Sequence, residues 1–389
     1  MKKRCKSAWD WLKTPANLAR LAACVLLSAL LGGAMFALNR PAPEAVATAS
    51  SKLIFVPARV VTVLSDDAAP TAQSEGRRVG TQELEIRLLS GAHQGEILPV
   101  TNYMSALFNI DTREGTHVIV RLISETDGSY YATLFNYDRA LPLGALLLVF
   151  FAALTLLGGK KGVKALLGLL FTLICIWFLL IPSVRHGLPP VPVTVAVAAL
   201  TAAVSLLFLN GFTKKTLCAT IGCVGGVAVA GLAAAAVGAL APLGGFQMSE
   251  AEDLLLQGAS FGLRISGLLI CGVLISSLGA VMDVAMSISS ALHEVHAADP
   301  SMKTGGLFRA GMNIGRDAMG TMANTLILAF AGSSFNMLLL IQIYDIPLLQ
   351  LLNTDFLCVE MLQSVAGSLG IILTVPLVAA ISARLFAAR

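Results

Sequence analysis

Long apolar segments constrain the fold of this chain more than any other feature. A helix needs roughly 20 mainly apolar residues to cross the ~30 Å hydrocarbon core of a bilayer. Eight segments fit this description, at residues 18–38, 141–158, 163–182, 191–210, 216–240, 261–282, 318–343 and 360–385. Only 13% of the residues are charged, against about 25% in soluble domains. The sequence therefore predicts a polytopic α-helical membrane protein with about eight spans.

Lysine and arginine collect in alternate loops, which orients the spans. Basic clusters occur at residues 2–13, 158–164, 213–215 and 302–317, whereas the intervening loops hold few basic residues. Loops rich in lysine and arginine stay in the cytoplasm, so both termini are predicted to be cytoplasmic. We expect a multi-pass protein of the inner (cytoplasmic) cell membrane, with the lipid bilayer as a partner. No dense basic face accompanies the net charge of +4, so nucleic acid is not an expected partner.

The N-terminal segment has the features of a membrane anchor. Residues 1–40 combine a basic tail with an apolar stretch of about 20 residues, which exceeds the 7–15 residues of a signal-peptide core. We therefore favour an uncleaved anchor over a cleaved signal peptide. The other seven predicted spans lie in residues 140–389.

Residues 41–139 form a long polar region that predicts a small β-rich domain outside the cytoplasm, between spans one and two. After a linker rich in proline, alanine and serine, short runs alternate apolar and polar residues, and glycine, aspartate and asparagine separate them. This pattern is typical of a barrel-like fold of about five strands, of the OB or SH3 type. Adjacent Tyr130 and Tyr131 should place one ring in the core and one at the surface. A second copy or another envelope protein is the partner expected to bind this domain.

The sequence does not point to an enzyme or to a bound cofactor. The seven cysteines all lie outside residues 41–139 and form no CxxC pair, so neither a disulfide framework nor a metal site is expected. His293 and His296 lie one turn apart without a third ligand. The string GASFG, residues 258–262, matches G-x-S-x-G, but an acidic loop rather than a strand precedes Ser260.

The sixth segment carries a small and polar stripe. In the string GAVMDVAMSISSALHE, residues 279–294, a carboxylate at Asp283 follows a long apolar run. Helix positions three and four residues apart share a face, and such a face must contact protein or water rather than lipid when it is polar. The residues of this face are Ser276, Ala280, Asp283, Ser287, Ser290 and Glu294.

The last two segments carry similar stripes. The stripe of the seventh segment consists of Asn313, Asp317, Gly320, Thr321 and Asn324. The stripe of the eighth segment consists of Glu360, Ser364, Gly367, Ser368 and Thr374. Matching depths and matching helix faces predict that Asp283 pairs with Arg316 at the inner end and that Arg264 pairs with Glu360 at the outer end. The residues predicted for a substrate or ion pathway are Asp283, Ser287, Arg316, Asp317, Asn324, Glu360, Ser364 and Arg264.

Asp283 admits two interpretations. In the structural one, Asp283 pairs with Arg316 and fixes the packing of two helices. In the functional one, the stripes line a path whose ends are guarded by charged groups. A further small-residue feature, the GxxxG of Gly222 and Gly226 in the fifth segment, favours close helix packing and would also let that helix slide or rock.

Three strings carry a resemblance to a known family: GAVMDVAMSISSALHE, GRDAMGTMANTLILAFAG and SVAGSLGIILTVPL. With the order of an anchor, a β-rich segment and seven further spans, the chain resembles the YibE/F-like family of bacterial multi-pass membrane proteins. The resemblance covers nearly the whole chain from about Leu53. It implies the topology of a membrane protein and brings no activity with it, because the family is described only as membrane proteins.

Two functions fit these features. The polar stripes, the 35 glycines and Pro376 in the last segment favour a transporter or permease for a small solute. The chain holds no Walker A motif, so an ion gradient rather than nucleotide hydrolysis would drive transport. The alternative is a non-transporting envelope protein whose β-rich domain binds a partner or ligand while the helices anchor it.

Overall fold

The chain folds into two compact units, which we describe separately. The structure, a computed structural model, describes residues 29–39, 54–71, 74–124, 130–258 and 262–387. One unit is Pro41–Ala153, called the β unit below, and the other joins Met1–Arg40 to Leu154–Arg389 and is called the helical unit. Most of the predicted anchor, the linker after it and Ser260 lie outside the described residues.

A curved antiparallel sheet forms most of the β unit. Its strands are β1 (Ile54–Asp66), β2 (Ala69–Pro70), β3 (Arg78–Leu88), β4 (Ile97–Met104), β5 (His117–Ser124) and β6 (Tyr130–Tyr137). Hydrogen bonds connect β2-β3-β1-β5-β6 in that order, β4 also pairs with β3, and β4 lies near β6. Register shifts in β1 bend the sheet into a half-barrel. The predicted β-rich domain is confirmed, with the short β2 in addition to five longer strands.

Strand alternation places the core of the β unit on one face of the sheet. In β3, the fully buried Leu84, Ile86 and Leu88 are separated by residues with greater exposure. Tyr130 packs against this core, whereas Tyr131 is 47% exposed. The prediction for the two tyrosines is therefore confirmed, and it follows from the two-residue period of a strand.

A buried glutamine organises a polar cluster beside this core. The Gln82 amide nitrogen donates to Asp66 Oδ2 at 3.0 Å and to the Thr112 carbonyl oxygen at 3.2 Å. Its carbonyl oxygen accepts from Asn102 Nδ2 at 3.1 Å and from the Thr112 hydroxyl at 2.9 Å. Burial of the amide is tolerated because its donors and its acceptor all have partners.

Arg78 bridges two carboxylates at the edge of this cluster. Its guanidinium lies 2.5 Å from Asp66 Oδ1 and 2.9 Å from Asp111 Oδ1. The hydrogen bond from Arg78, followed by the one from Gln82, lowers the pKa of Asp66 from 3.8 to about 2. The folded β unit therefore stabilises the ionised form of Asp66.

The other elements are helices. They are α1 (Ala29–Leu38), α2 (Ala140–Arg185), α3 (Pro190–Asn210), α4 (Lys214–Leu240), α5 (Ala251–Gly258), α6 (Leu268–Ala298), α7 (Thr304–Ser333), α8 (Phe335–Ile343), α9 (Leu348–Leu351) and α10 (Asp355–Ala387). Among the described residues, five helices are long and apolar enough to cross a membrane, namely α2, α3, α4, α6 and α10. The bent pair α7 and α8 would make six. The prediction of several membrane-spanning helices is confirmed, and the count of eight stays a prediction.

A glycine divides α2 where the sequence predicts a loop between two spans. The helix has 46 residues, about 69 Å at 1.5 Å per residue, which is more than twice the ~30 Å hydrocarbon core. Gly159 has φ 52° and ψ −134°, outside the helical region. A Cβ atom at Gly162 would collide with the Leu154 carbonyl oxygen, which a straight helix would hold about 12 Å away along its axis. The chain therefore turns sharply at Gly159.

Two helix boundaries differ from the sequence-based ones. α7 begins at Thr304 instead of near residue 318, and a bend of 63° separates it from α8. The apolar run continues across this bend, so hydropathy alone does not locate it. α6 begins at Leu268 instead of near residue 261, because Gly267 before it has a left-handed conformation with φ 92°.

Glycines on α4 allow that helix to approach α10 closely. A Cβ atom at Gly222 would collide with Val378, and one at Gly226 would collide with Thr374. This is the packing expected of a GxxxG pair, because two small residues one turn apart leave a groove for the neighbouring helix.

A second GxxxG pair on α7 contacts the same region of α10. A Cβ atom at Gly311 would lie 2.9 Å from Ala379 Cβ and 2.9 Å from Leu292 Cδ1, and one at Gly315 would collide with Val375. The segment of α10 around Pro376 thus packs between two glycine faces. The string GMNIG contains this pair, which was not among the predicted packing motifs.

The contacts of Asp66 predict how the β unit responds to acid. We expect a fragment of residues 52–139 to fold alone, with a β-rich circular-dichroism spectrum. The pKa of Asp66 falls from 3.8 to about 2 on folding, so its contribution to stability is present above pH ~4 and is lost as the pH falls toward 2. Asp66→Asn should therefore flatten part of the acid dependence of the free energy of unfolding. The exposed neighbour Asp67 supplies the control Asp67→Asn. The prediction would be contradicted if the free energy of unfolding had the same acid dependence in the parent fragment, Asp66→Asn and Asp67→Asn.

The glycine face of α7 predicts a position-specific effect of a large side chain. Gly311→Leu should destabilise the helical unit by about 1–3 kcal/mol through overpacking, because a Cβ atom there already meets Ala379 and Leu292. Gly332→Leu on the same helix is the matched control, since nothing lies within 4 Å of its Cβ position. Thermal unfolding in detergent would measure both. Equal melting temperatures for the two variants would disprove close packing at Gly311.

Candidate functional site

The polar stripe of α6 lies on the surface of the helical unit. Asp283, Ser287 and Glu294 are exposed, and Ser276 and Ser290 are half-buried. The opposite face of α6 is buried against α4 and α10. Within the described residues, Asp283 forms neither a hydrogen bond nor an ion pair. The stripe therefore does not serve to pack α6 into the core.

A cavity of about 700 Å³ lies at the N-terminal end of α6, beside α2, α3 and α5. Most of its wall is apolar, and Arg185, Glu250 and Asp253 add charged groups. The volume falls within the range of about 300–1,000 Å³ that is common for small-molecule sites. Apolar wall residues include Leu180, Ile181, Val184, Leu263, Leu268 and Ile275.

Two residues of the cavity wall share a helix face with the polar stripe of α6. Gly272 and Ile275 line the cavity, and they share a helical face with Gly279 and Asp283. Gly272 and Glu294 are 22 positions apart, a rise of about 33 Å, which is similar to the ~30 Å hydrocarbon thickness. We call this face the α6 track, and its residues are Gly272, Ile275, Ser276, Gly279, Asp283, Ser287, Ser290 and Glu294.

The predicted pathway residues of α7 are also exposed. Arg316, Asp317 and Asn324 lie on the face opposite the buried Gly311 and Gly315. Arg316 Nη1 donates to Asn313 Oδ1 of the same helix at 3.4 Å. In the described part of the chain, the side chains of Asp317 and Asn324 have no hydrogen-bond or ion-pair partner.

Glu360 and Ser364 line a smaller cavity, of about 130 Å³, between α7, α8 and α10. Atom Oε2 of Glu360 is buried and has no hydrogen-bond partner among the described residues. Ser364 donates its hydroxyl to the Met361 carbonyl oxygen of its own helix at 3.2 Å. These two residues are therefore close together, but they do not border the α6 track.

The rest of the α10 stripe packs inside the helical unit. Gly367, Ser368 and Thr374 are buried. Ser368 donates to the Ser364 carbonyl oxygen at 2.7 Å, and Thr374 donates to the Gly370 carbonyl oxygen at 2.6 Å. Because these hydroxyls bond to their own backbone, they can be buried without another partner.

Arg264 lines a third cavity, of about 450 Å³, with the start of α3 and the end of α4. Glu360 does not line that cavity. All ion pairs between described residues lie in the β unit, so neither the pair Asp283–Arg316 nor the pair Arg264–Glu360 forms. Both expectations rested on matched depth together with matched face, but a stripe on each of two helices does not fix whether the two stripes turn toward each other.

The amino-acid sequence of these helices also identifies the protein family. The family model described as YibE/F-like protein matches residues 146–388, which is well over half of the chain. The chain belongs to the YibE/F-like family. The matched segment contains all three strings quoted above and both GxxxG pairs, whereas the strands of the β unit precede it.

Comparisons beyond the family give no match. Neither the curated proteins nor the solved structures gave a match to this chain. Family membership and the apolar helices together fit a multi-pass membrane protein. Any activity of this YibE/F-like protein must be argued from its own geometry.

Water access to the α6 track can be tested by thiol labelling in membranes. Gly279→Cys and Ser287→Cys should react quickly with a water-soluble maleimide, because both positions are exposed on the track. Leu373→Cys is the control, since Leu373 is 41% exposed on the apolar outer face of α10, where lipid would keep the thiol un-ionised and slow to react. The parent chain measures the background from native cysteines. Labelling at the track positions as slow as at 373 would contradict a hydrated track.

Proposed function

We propose that this YibE/F-like protein is a transporter for a small solute that moves along the α6 track. The observation that carries the proposal is that the wall of a ligand-sized cavity and the polar stripe of α6 share one helix face, which is about as long as a bilayer is thick. A polar face on a spanning helix must contact protein or water. A hydrated path that begins at such a cavity is what solute transport requires.

The composition of the cavity wall favours a solute with an apolar body and one polar or charged group. Leu180, Leu268 and Ile275 would contact the apolar part. Arg185 and Glu250 offer opposite charges to a polar part. Such a division is usual in small-molecule sites, where apolar walls bind and a few polar groups orient the ligand.

The proposed topology has both termini in the cytoplasm of a cell with an inner membrane, and the β unit outside it. The alternation of basic loops supports this orientation. The sharp turn at Gly159 supports two spans within α2, and eight spans require both termini on one side. In this orientation the ~700 Å³ cavity opens away from the cytoplasm.

Asp283 is the proposed coupling group of the transporter. It is the carboxylate in the middle part of the α6 track, and it has no cation beside it in the described structure. A carboxylate in that position can take up a proton or a monovalent cation. An ion gradient would then drive solute movement, in keeping with the lack of a Walker A motif.

The test combines metabolite profiling of a deletion strain with uptake into proteoliposomes. Profiling nominates the solutes, and uptake is measured with an imposed proton or sodium gradient. Asp283→Asn should fold normally and reduce uptake to the level of protein-free liposomes, because the amide cannot ionise. The matched control is Asp299→Asn at the end of α6, where the amide keeps an acceptor for Ser301 and uptake should be unchanged.

Two results would overturn the proposal in different ways. Full uptake by a well-folded Asp283→Asn protein would remove the coupling role of Asp283. Failure of the parent protein to move any nominated solute under either gradient would remove transport itself.

The second candidate function is that of a non-transporting envelope protein whose β unit binds a partner. The observation that favours it is an exposed apolar group at and after the end of β4. Tyr103 is 75% exposed, Leu107 is 84% exposed and Phe108 is 81% exposed. Such groups on a polar surface are common at protein–protein contacts. If Leu107→Asp abolishes complementation of the deletion strain while Asp283→Asn does not, this second function is favoured.

A further inference from the structure

The exposed face of α7 is unusually polar for a helix of this unit. It carries Asn313, Arg316, Asp317, Gly320, Thr321 and Asn324. The exposed residues in the middle of α10 are all apolar and suit contact with lipid: Met361, Val365, Leu369, Ile372 and Leu373. The two helices pack against each other, so the difference concerns their outward faces alone.

The polar groups on this face are not satisfied within one copy of the chain. Arg316 and Asp317 are neighbours in sequence and leave the helix about 100° apart, so they do not pair with each other. Asp317 and Asn324 have no side-chain partner in the described residues, and Arg316 has only Asn313 at 3.4 Å. Water can satisfy Arg316 and Asp317 at the end of the basic segment 302–317, which is predicted to be cytoplasmic, but Asn324, deeper along α7, needs a partner from outside the chain.

The position of Asn324 along α7 makes its exposure to lipid costly. α7 has 30 residues, about 45 Å, and is long enough by itself to cross ~30 Å of hydrocarbon. Asn324 lies nine residues before the end of α7 at Ser333, about 14 Å along the axis. An amide at that depth without a hydrogen bond costs several kcal/mol in a lipid environment.

We propose that this face binds the same face of a second copy, across a two-fold axis along the membrane normal. Such an axis places each residue beside its own counterpart at the same depth. Asn324 would then hydrogen-bond to its counterpart. Gly320, which has nothing within 4 Å of its Cβ position, would allow the two backbones to come close.

Charge complementarity identifies the partner as a second copy. On the helical wheel, Asn313, Gly320 and Asn324 form the centre of the face, and Arg316 and Asp317 lie on opposite flanks. A two-fold axis places the Arg316 flank of one helix against the Asp317 flank of the same helix in the second copy. Each Arg316 therefore meets the Asp317 of the second copy, which forms two reciprocal ion pairs at one level. An interface of this kind is complementary to itself.

This interface is separate from the predicted contact through residues 41–139 and does not depend on the proposed transport. It involves α7 rather than the cavity or Asp283. The two proposals can therefore fail separately. A dimer that does not transport would contradict only the transport proposal, and a monomer that transports would contradict only the dimer proposal.

The first test is disulfide crosslinking of the full chain in native membranes. Gly320→Cys and Asn324→Cys should each give a dimer on mild oxidation, because counterparts across the axis bring their Cα atoms within about 7 Å. Leu373→Cys, on the lipid-facing side of α10, and the parent chain with its seven native cysteines should not. The lack of a dimer band at both 320 and 324 would overturn the proposal.

The second test exchanges the charges. In detergent, Arg316→Asp should raise the dimer dissociation constant by about tenfold or more, because it replaces two attractive pairs by two repulsive ones. The double variant Arg316→Asp/Asp317→Arg should restore dimerisation, since the reciprocal pairs form again in the opposite sense. Mass photometry measures both. A monomeric parent chain, or a double variant no better than Arg316→Asp, would overturn the proposal.

Discussion

Close packing of α10 between the glycine faces of α4 and α7 is the constraint on which the rest of the helical unit depends. Without a hydrophobic force between helices in lipid, van der Waals packing holds them together, and small residues permit it. Gly311 and Gly315 fix the rotation of α7, because only that side of the helix can approach α10. The same rotation turns Arg316 and Asp317 outward. The exposed polar face is thus a consequence of the packing.

The two exposed polar faces differ in what lies beside them. The α6 track begins at a cavity of about 700 Å³ and carries a single carboxylate in its middle part, which suits the movement of a solute or an ion. The face of α7 combines opposite charges with a mid-helix amide and an open glycine, which suits a contact between proteins. Neighbouring helices can therefore serve different tasks, although both stripes have the same period.

The sequence predicted the polar stripes and the β-rich domain, because hydropathy and the periods of helices and strands act locally, and the resemblance of three strings predicted the family. It did not predict which stripe would be buried. Side-chain chemistry accounts for the outcome: Ser368 and Thr374 bond to carbonyl oxygens of α10 itself and can enter the core. An asparagine amide or an arginine guanidinium carries more donors, so one carbonyl oxygen of its own helix leaves part of the group without a partner. The predicted ion pairs did not form for a related reason: depth and helical period place residues on one face of a helix, but they do not determine which neighbour that face contacts.

The contacts of Asp283 distinguish its structural interpretation from its functional one. A structural role requires a cation or a donor within reach, since a carboxylate on a membrane helix without a partner contributes nothing to packing and costs desolvation. Among the described residues Asp283 has no such partner. Arg316 is on α7 and donates a hydrogen bond to Asn313 of the same helix. The surroundings of Asp283 therefore favour contact with water or with a moving ion, which is the interpretation on which the transport proposal rests.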